Sequence, residues 1–381
     1  MARVQNLSQD QIDSLVEGLL AKKPYNLNTL DISVRYSSTW YTDLTIDISN
    51  LARVLRDTDT LEEFNVAGRI LAGSESILEC AKLLESNTCL KKLDLEADGG
   101  DCPIDPDVWI SMGKALPRSR ALQYLDISSH QVSQASWKAL GEGLRANTSL
   151  LSLKASKLYR QREEKLSNIF LPVFDGLNGN RTLQSLHLIG YDLSDSFASL
   201  EALESVLVES SSLKSVKLEN SSMPDASIAI PSRSLPKMKS IEDLGLKYKK
   251  FGLEGARALV RDIKKNCSLL SVEVGTELDK GYVTGIERRM GAKGFEKEYH
   301  EIQYYARMNR KGRRCVGGST SFKSSLWPLV LAKALKKEES RGQFVEGDIR
   351  KKDYFAGNHD TSIDAVFLQL RDAGVLTVGK K

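Results

Sequence analysis

Apolar side chains recur along most of the chain in one spacing, L-x-x-L-x-L, whose first, fourth and sixth positions carry leucine or another apolar residue. Alternate side chains of an extended strand share a face, so the fourth and sixth positions point the same way. Each copy therefore predicts one short strand with two buried side chains. The nine copies begin at Leu27, Leu61, Leu90, Leu122, Leu150, Leu183, Leu213, Ile241 and Leu269.

A second apolar pair precedes nearly every copy. Leu144 lies six residues before Leu150, and Leu140 lies one helical turn further back, so each unit of about 30 residues predicts a helix followed by a strand. Asparagine recurs three residues before four of the copies. Because asparagine tolerates the left-handed backbone conformation, we expect it to end these helices. The four residues are Asn87, Asn147, Asn180 and Asn266.

A chain of 381 residues would ordinarily divide into two or three domains, but stacked repeats share one continuous core. The pattern predicts an α/β leucine-rich-repeat horseshoe solenoid, with parallel strands on the concave face, helices on the convex face and a helical C-terminal cap. We expect residues 1–279 to form a solenoid of about nine repeats. Residues 280–318 are expected to form the helical cap and a basic segment, and residues 319–381 a helical extension with flexible linkers.

With a helix in every unit, the chain resembles the ribonuclease-inhibitor-like class of leucine-rich-repeat proteins. That class includes inhibitors of ribonucleases and activators of small GTPases, so the resemblance implies that either role is open. The class pattern carries asparagine at the ninth position, where this chain has other residues such as Arg69, His130 and Tyr191. The usual asparagine ladder is therefore missing.

The C-terminal region carries a second resemblance. The run I-x-Y-Y-x-x-x-N-R-x-G-R from Ile302, the segment 326–332 and the segment 364–371 are similar to the C-terminal segments of uncharacterised leucine-rich-repeat proteins of single-celled algae. This resemblance implies a lineage without implying a biochemical activity.

Strand residues that flank the core positions are expected on the concave face. The column between the fourth and sixth positions begins with acidic residues and becomes basic in the middle, which favours a partner of opposite charge pattern. Ordinary solvation of a polar strand face is the alternative. The candidate partner-binding residues are Asp31, Glu63, Asp94, Glu96, Tyr124, Asp126, Lys154, His187, Lys217 and Lys247.

The formal net charge of +4 conceals a mildly acidic repeat region and a basic tail. A basic patch in the tail offers contacts to phosphates or to an acidic protein. Such a run is more often a solvated helix end, and no recognised nucleic-acid-binding fold accompanies it. Nucleic acid is therefore the less favoured partner. The patch comprises Arg307, Arg310, Lys311, Arg313 and Arg314.

Residue patterns for catalysis and for cofactor or metal binding do not occur. The four histidines are scattered, the five cysteines form no C-x-x-C pair, and no phosphate-binding or nucleophile-elbow motif is present. We expect no cofactor, no metal and no catalytic residue. The odd cysteine count and the lack of an apolar signal or membrane segment predict a cytoplasmic, possibly nuclear, protein with reduced thiols and no membrane contact. We expect the protein to be a monomer.

These features predict a non-enzymatic intracellular scaffold or adaptor that holds a protein partner on its concave strand face. Two alternatives stay open. One is a regulator of an enzyme, of the inhibitor or small-GTPase-activator type, and the other is nucleic-acid contact through the basic C-terminal segment.

Overall fold

The computed structural model of the chain describes residues 2–3, 7–21, 27–34, 45–97, 104–156, 168–191, 193, 196–218, 225–247, 252–275 and 295–309. Helices and strands alternate along these residues. The strands are β1 (Ala2–Arg3), β2 (Thr29–Asp31), β3 (Thr45–Ile46), β4 (Glu63–Asn65), β5 (Ile70–Leu71), β6 (Lys92–Asp94), β7 (Tyr124–Asp126), β8 (Ser152–Ser156), β9 (Ser185–Ile189), β10 (Ser215–Lys217), β11 (Asp243–Lys247) and β12 (Ser271–Gly275).

A parallel sheet of ten strands runs through the described residues in the order β1-β2-β4-β6-β7-β8-β9-β10-β11-β12. Each of the nine apolar copies contributes one strand, which confirms the strand prediction. In all of them, equivalent positions of the motif are paired, as in Leu93 with Leu125 and Leu125 with Leu153. The short strands β3 and β5 pair separately.

Each described helix packs against the next one along the chain, as a solenoid requires. Two single 3-10 turns, at Pro106–Val108 and Leu235–Lys237, add to these helices. None of the described helices combines the length and the apolar character needed to cross a bilayer. The helices are α1 (Gln9–Ala21), α2 (Ser49–Leu55), α3 (Ser74–Ser86), α4 (Trp109–Ala115), α5 (Gln134–Ala146), α6 (Leu171–Gly179), α7 (Phe197–Glu209), α8 (Asp225–Ser232), α9 (Leu253–Ile263) and α10 (Glu296–Met308).

The core lies between the sheet and the helices. In β8, Leu153 and Ala155 are buried, and they share the core with Leu140 and Leu144 of α5. The same four motif positions are buried in nearly every unit, so the apolar spacing predicted the core correctly. A single continuous core makes the chain a leucine-rich-repeat solenoid.

The asparagines between helix and strand act differently from the prediction. Asn87, Asn147 and Asn180 have extended backbones and no left-handed φ. The Asn147 side chain instead donates from Nδ2 to the Leu116 carbonyl oxygen at 2.6 Å and accepts from the Leu150 amide at 2.7 Å. Each asparagine therefore links its own strand to the preceding repeat. Asn87, Asn180 and Asn266 make equivalent bonds.

The ninth motif position also links repeats, with larger residues than asparagine. Arg69 Nε donates to the Ile32 carbonyl oxygen at 3.1 Å, and His130 Nε2 lies 2.7 Å from the Leu95 carbonyl oxygen. Both side chains are buried. The chain thus lacks the usual asparagine at this position but keeps a bond to the preceding repeat.

Helix α10 closes the solenoid. It packs against α9 and β12, and it buries Ile302 and Ala306. Gln303 Nε2 donates to the Val272 carbonyl oxygen of β12 at 2.6 Å, and Asn309 Nδ2 donates to the Leu269 carbonyl oxygen at 2.9 Å. This arrangement is the predicted helical cap. Residues 276–294 and 310–381 lie outside the described residues, so the proposed domain division stays a prediction.

Glycines bring the backbones of α4, α5 and α6 into direct contact. A Cβ atom added at Gly141 would strike the Pro172 carbonyl oxygen, and one added at Gly176 would strike the Gly141 carbonyl oxygen. Gly113 and Gly143 meet in the same way between α4 and α5. These positions require glycine because no side chain fits between the helices.

Candidate functional site

The concave face of the sheet presents side chains that the core does not use. In β8, the half-buried residues Ser152, Lys154 and Ser156 alternate with the buried Leu153 and Ala155. The same alternation holds in β9. Because the strands are in register, equivalent concave side chains form continuous columns across the sheet. The central column runs Asp31, Asn65, Asp94, Asp126, Lys154, His187, Lys217, Gly245 and Glu273.

Side chains in the N-terminal half of this column bond to their own backbone. Asp31 Oδ1 accepts from the Ser33 amide at 3.1 Å, and Asp126 Oδ1 accepts from the Ser128 amide at 2.9 Å. Asn65 and Asp94 make the same bond to the amide two residues on. This Asx turn is a local structural role that the acidic residues have independently of any partner.

A cluster of carboxylates lies where β6 and β7 end. Carboxylate oxygens of Asp94, Glu96 and Asp126 lie within 4.8 Å of one another, and within the described ranges they form a group that could hold a cation. Lys154 Nζ already lies 2.9 Å from Asp126 Oδ2 and 3.5 Å from Glu96 Oε2. The Tyr124 hydroxyl also donates to Asp126, at 3.1 Å. The ammonium group supplies positive charge at this point, so the cluster is an ion-pair network.

Burial and crowding of charge change the acid–base behaviour of this network. Burial, reinforced by the charge of Asp126, raises the pKa of Asp94 to about 6. The same causes raise the pKa of Tyr124. Burial lowers the pKa of Lys154, but the neighbouring Asp126 outweighs it, and the net pKa is raised. Lys154 therefore stays charged while Asp94 titrates close to neutral pH.

The C-terminal half of the face holds a second, looser network. Lys217 Nζ lies 3.8 Å from Asp243 Oδ2 and 3.7 Å from Glu273 Oε1. His187 Nε2 lies 3.0 Å from Ser185 Oγ. Burial lowers the pKa of His187, and the ammonium groups of Lys217 and Lys154 lower it further. The imidazole is therefore held towards its neutral form.

The candidate partner-binding residues differ in how much of each side chain is exposed. Glu63 is exposed, and Glu96, Tyr124, Lys154, His187 and Lys217 are half-buried. Asp31, Asp94 and Asp126 are buried, and Asp126 has no exposed surface. These three aspartates fit a direct contact with a partner less well than the sequence suggests, because their oxygens are engaged within the chain.

The remaining candidates are only partly described. Lys247 ends β11, and its backbone pairs with Gly275. Arg307 lies in α10. The rest of the basic patch lies outside the described residues, namely Arg310, Lys311, Arg313 and Arg314.

Sequence analysis missed several members of the two networks. Lys92 Nζ lies 5.3 Å from the centre of the Tyr124 ring, and Asp243 pairs with Lys217. Both belong to the column two residues earlier, between the first and fourth motif positions. The candidates include only Glu63 and Tyr124 from this column. Including every member would have found Lys92 and Asp243, since parallel strands in register place the members side by side.

Comparison with known proteins supports the class of fold. No family model matches the chain. Ribonuclease inhibitor of Sus scrofa is 26% identical over 228 residues, a stretch that covers 59% of this chain and 47% of the relative. The chain thus spans about half the length of the curated relative it matches.

Solved structures with similarity to the chain have low sequence identity. A structural-genomics protein from Bacteroides fragilis is 14% identical to the chain, with a TM-score of 0.42, and the match covers 71% of this chain and 73% of that one. The tropomodulin C-terminal domain of Caenorhabditis elegans is 14% identical, with a TM-score of 0.34 and coverage of 56% and 97%. Leiomodin-1 Actin-Binding Site 2 is 12% identical, with a TM-score of 0.33 and coverage of 54% and 96%.

Proposed function

We propose that the chain is a non-enzymatic scaffold or adaptor that binds a protein partner across the concave face of its sheet. The observation that carries the proposal is the register of the strands, which aligns the half-buried side chains of Lys154, His187 and Lys217 over one sheet face. Complementary charge on a partner would set its orientation and its association rate.

The overall charge of this face favours a partner with basic groups. Among the described concave side chains, carboxylates outnumber ammonium groups. The carboxylates are Asp31, Glu63, Asp94, Glu96, Asp126, Asp243 and Glu273, and the ammonium groups are Lys92, Lys154 and Lys217.

A cytoplasmic or nuclear location belongs to the same proposal. The described cysteines, Cys80, Cys89 and Cys267, all carry free thiols, which supports a reducing compartment. Protein binding is also consistent with the name of the Sus scrofa relative, an inhibitor of a ribonuclease.

Charge reversal on the two faces tests the proposal. The concave variant changes Glu63, Glu96 and Glu273 to Lys, which spares the buried aspartates and the Asx turns. The control variant makes the same charge change on exposed helix positions, at Glu142, Glu201 and Glu209.

We expect affinity capture from lysate, with cross-linking to locate the contact, to recover a protein partner with the wild-type chain and the control variant but not with the concave variant. A partner that all three forms retain equally, or that cross-links to the helices, would contradict the concave assignment.

Inhibition of an enzyme is a second candidate, favoured by the ribonuclease inhibitor relative. Hydrolysis of RNA by a ribonuclease should slow when the full chain is added and should recover with the concave variant. Unchanged hydrolysis would count against the ribonuclease version. Activation of a small GTPase stays a prediction, which measuring GTP hydrolysis with and without the chain would check. Contact of the C-terminal tail with nucleic acid also stays a prediction, and salt-sensitive binding would support it.

A further inference from the structure

Three basic side chains lie next to one another in the middle of the concave face. Lys154 of β8, His187 of β9 and Lys217 of β10 are register partners on adjacent parallel strands. Neighbouring strands lie about 4.8 Å apart, so the imidazole is flanked on both sides by an ammonium group. We call these residues the central basic row.

Carboxylates border the central basic row on both sides. On the β7 side, Lys154 contacts Asp126 and Glu96. On the β11 side, Lys217 lies near Asp243 and Glu273. Across the strands, the charge order is therefore negative, positive, imidazole, positive, negative.

The ion pairs at the edges of the row leave hydrogen-bonding capacity unused. Lys154 has one short contact, 2.9 Å to Asp126, whereas its distance to Glu96 is 3.5 Å. Both contacts of Lys217 exceed 3.5 Å. Hydrogen bonds from an ammonium group to a carboxylate are shorter than this. Among the residues that the structure describes, protons of both lysines therefore stay open to a further acceptor.

His187 is placed to respond to that acceptor. Its Nε2 atom is engaged by Ser185 Oγ, and its side chain is half-buried. The charged groups that act on it are Lys154 and Lys217, which disfavour the imidazolium form, and Asp126 and Asp243, which favour it. A negative charge placed between the lysines would act like Asp126 and Asp243 and raise the pKa of His187.

We propose that the central basic row binds an acidic side chain of a partner segment in the polyproline II conformation, and that basic residues three positions before and after it meet the bordering carboxylates. Side chains three residues apart lie on the same face of this helix, which has three residues per turn. The spacing follows from the sheet. From β9 to β7 or to β11 is two strand spacings, about 10 Å, which matches one turn of polyproline II, three residues at about 3.1 Å each. This inference rests on the proposed binding of a protein partner to the concave face.

Such a segment replaces ion pairs within the chain by ion pairs across the interface. The partner carboxylate accepts hydrogen bonds from Lys154 and Lys217, while the partner ammonium groups meet Glu96 and Asp243. Charge is balanced before and after binding, so the pattern contributes mainly to selectivity and orientation.

Short peptides with the full chain test the charge order. The probe is the acetylated, amidated peptide K-S-S-E-S-S-K, and the matched control is E-S-S-K-S-S-E. Binding is followed by nuclear magnetic resonance of the His187 imidazole, assigned with His187→Gln. We expect the first peptide to bind at least about fivefold more tightly than the second and to raise the pKa of His187 by about one unit.

Two lysine variants complete the test. Lys217→Gln should weaken binding of K-S-S-E-S-S-K by about fivefold, whereas Lys237→Gln, at an exposed lysine of the 3-10 turn after α8, should leave it unchanged. Equal binding of the two peptides, an unmoved imidazole pKa, or an unaffected Lys217→Gln variant would overturn the proposal.

The outcomes separate this inference from the proposed function. If a captured partner depends on Glu63, Glu96 and Glu273 but the two peptides bind equally, the proposed binding of a partner to the concave face is supported. The proposed charge order of the bound segment is then wrong. If the first peptide binds selectively but no partner depends on those residues, the central basic row stands and the proposed function falls.

Discussion

The two halves of the central column differ in whether the strand ends at the column residue or continues past it. Strands β2, β4, β6 and β7 have three residues and end at Asp or Asn, whereas β8, β9, β11 and β12 have five residues and continue past Lys, His, Gly and Glu. In the first half, the side chain takes the amide that would otherwise extend the strand ladder. Strand β10, with three residues, departs from this rule.

The two halves differ in whether an acidic side chain of the column is already bonded within the chain or is still exposed to solvent. Asp126 is acidic, central and buried, and its oxygens bond to Ser128, Tyr124 and Lys154. Glu273 occupies the same column, and its side chain is 37% exposed. An acidic column residue therefore has little capacity for a partner where its strand ends, and more where the strand continues.

The largest effect should come from removing the buried charge of the first half. Asp126→Ala leaves the Ser128 amide and the Lys154 ammonium without their acceptor, and we expect the free energy of unfolding to fall by about 4 kcal/mol. Glu273→Ala, at the same column position in the second half, should cost less than about 0.5 kcal/mol. Urea unfolding measures both, and equal losses would contradict the comparison.

Lowering the pH should destabilise the N-terminal half of the solenoid more than the C-terminal half. The reason is the ninth motif position, which is His130 in the first half and Tyr191 in the second. Burial lowers the pKa of His130 to about 4, so the folded chain resists the proton that the unfolded chain accepts near 6.5. Stability from neutral His130 is complete above pH 6.5 and is lost as pH falls to about 4, by about 3 kcal/mol. Tyr191, at the equivalent position of the second half, has a raised pKa and does not titrate there.

Hydrogen exchange along the chain at pH 4.5 and 7 measures this difference. We expect faster exchange around His130 than around Tyr191 at the lower pH, and His130→Asn should remove the pH dependence. Uniform loss of protection along the solenoid would refute the assignment to His130.

Asp94→Asn should stabilise the chain at neutral pH. The amide keeps an acceptor for the Glu96 amide and removes the repulsion by Asp126. The folded pKa of about 6 lies above the ordinary value of 3.8, so the folded state gains stability as pH falls from 6 towards 4. We expect a gain of about 1–2 kcal/mol at pH 7.5 that shrinks below pH 6, measured by urea unfolding. A loss at pH 7.5 would show that Asp94 stabilises as an anion.

The smallest effect should come from Lys217. Its contacts to Asp243 and Glu273 are long, and its side chain is 25% exposed. Lys217→Ala should therefore lower the free energy of unfolding by about 0.5 kcal/mol or less, although it removes part of the central basic row. Thermal unfolding checks this. A loss as large as that of Asp126→Ala would mean that the two halves are built alike.

The sequence predicts the solenoid well because its signal is local. Leu150, Leu153 and Ala155 identify their strand by spacing alone, and the same spacing recurs in every unit. The role of Asp126 is harder to predict, because an aspartate in a strand pattern suits both an exposed contact and an Asx turn. Only the position of Lys154, from the next repeat, shows which of its oxygens are taken.

The bonds between repeats were also hard to predict. Arg69 and His130 look like departures from a pattern that requires asparagine, yet each reaches a carbonyl oxygen of the preceding repeat. Long side chains can span the same gap as asparagine when the turn geometry differs. Sequence spacing does not contain that geometry.

The glycine contacts between α4, α5 and α6 affect the curvature of the whole molecule. A solenoid of this kind bends because packed helices, about 8–10 Å apart, take more room than strands about 4.8 Å apart. Where Gly113, Gly141, Gly143 and Gly176 bring helix backbones together, this difference is smaller and the arc has a larger radius. These close helix contacts therefore reduce the bend of the sheet at β7, β8 and β9, which follow α4, α5 and α6.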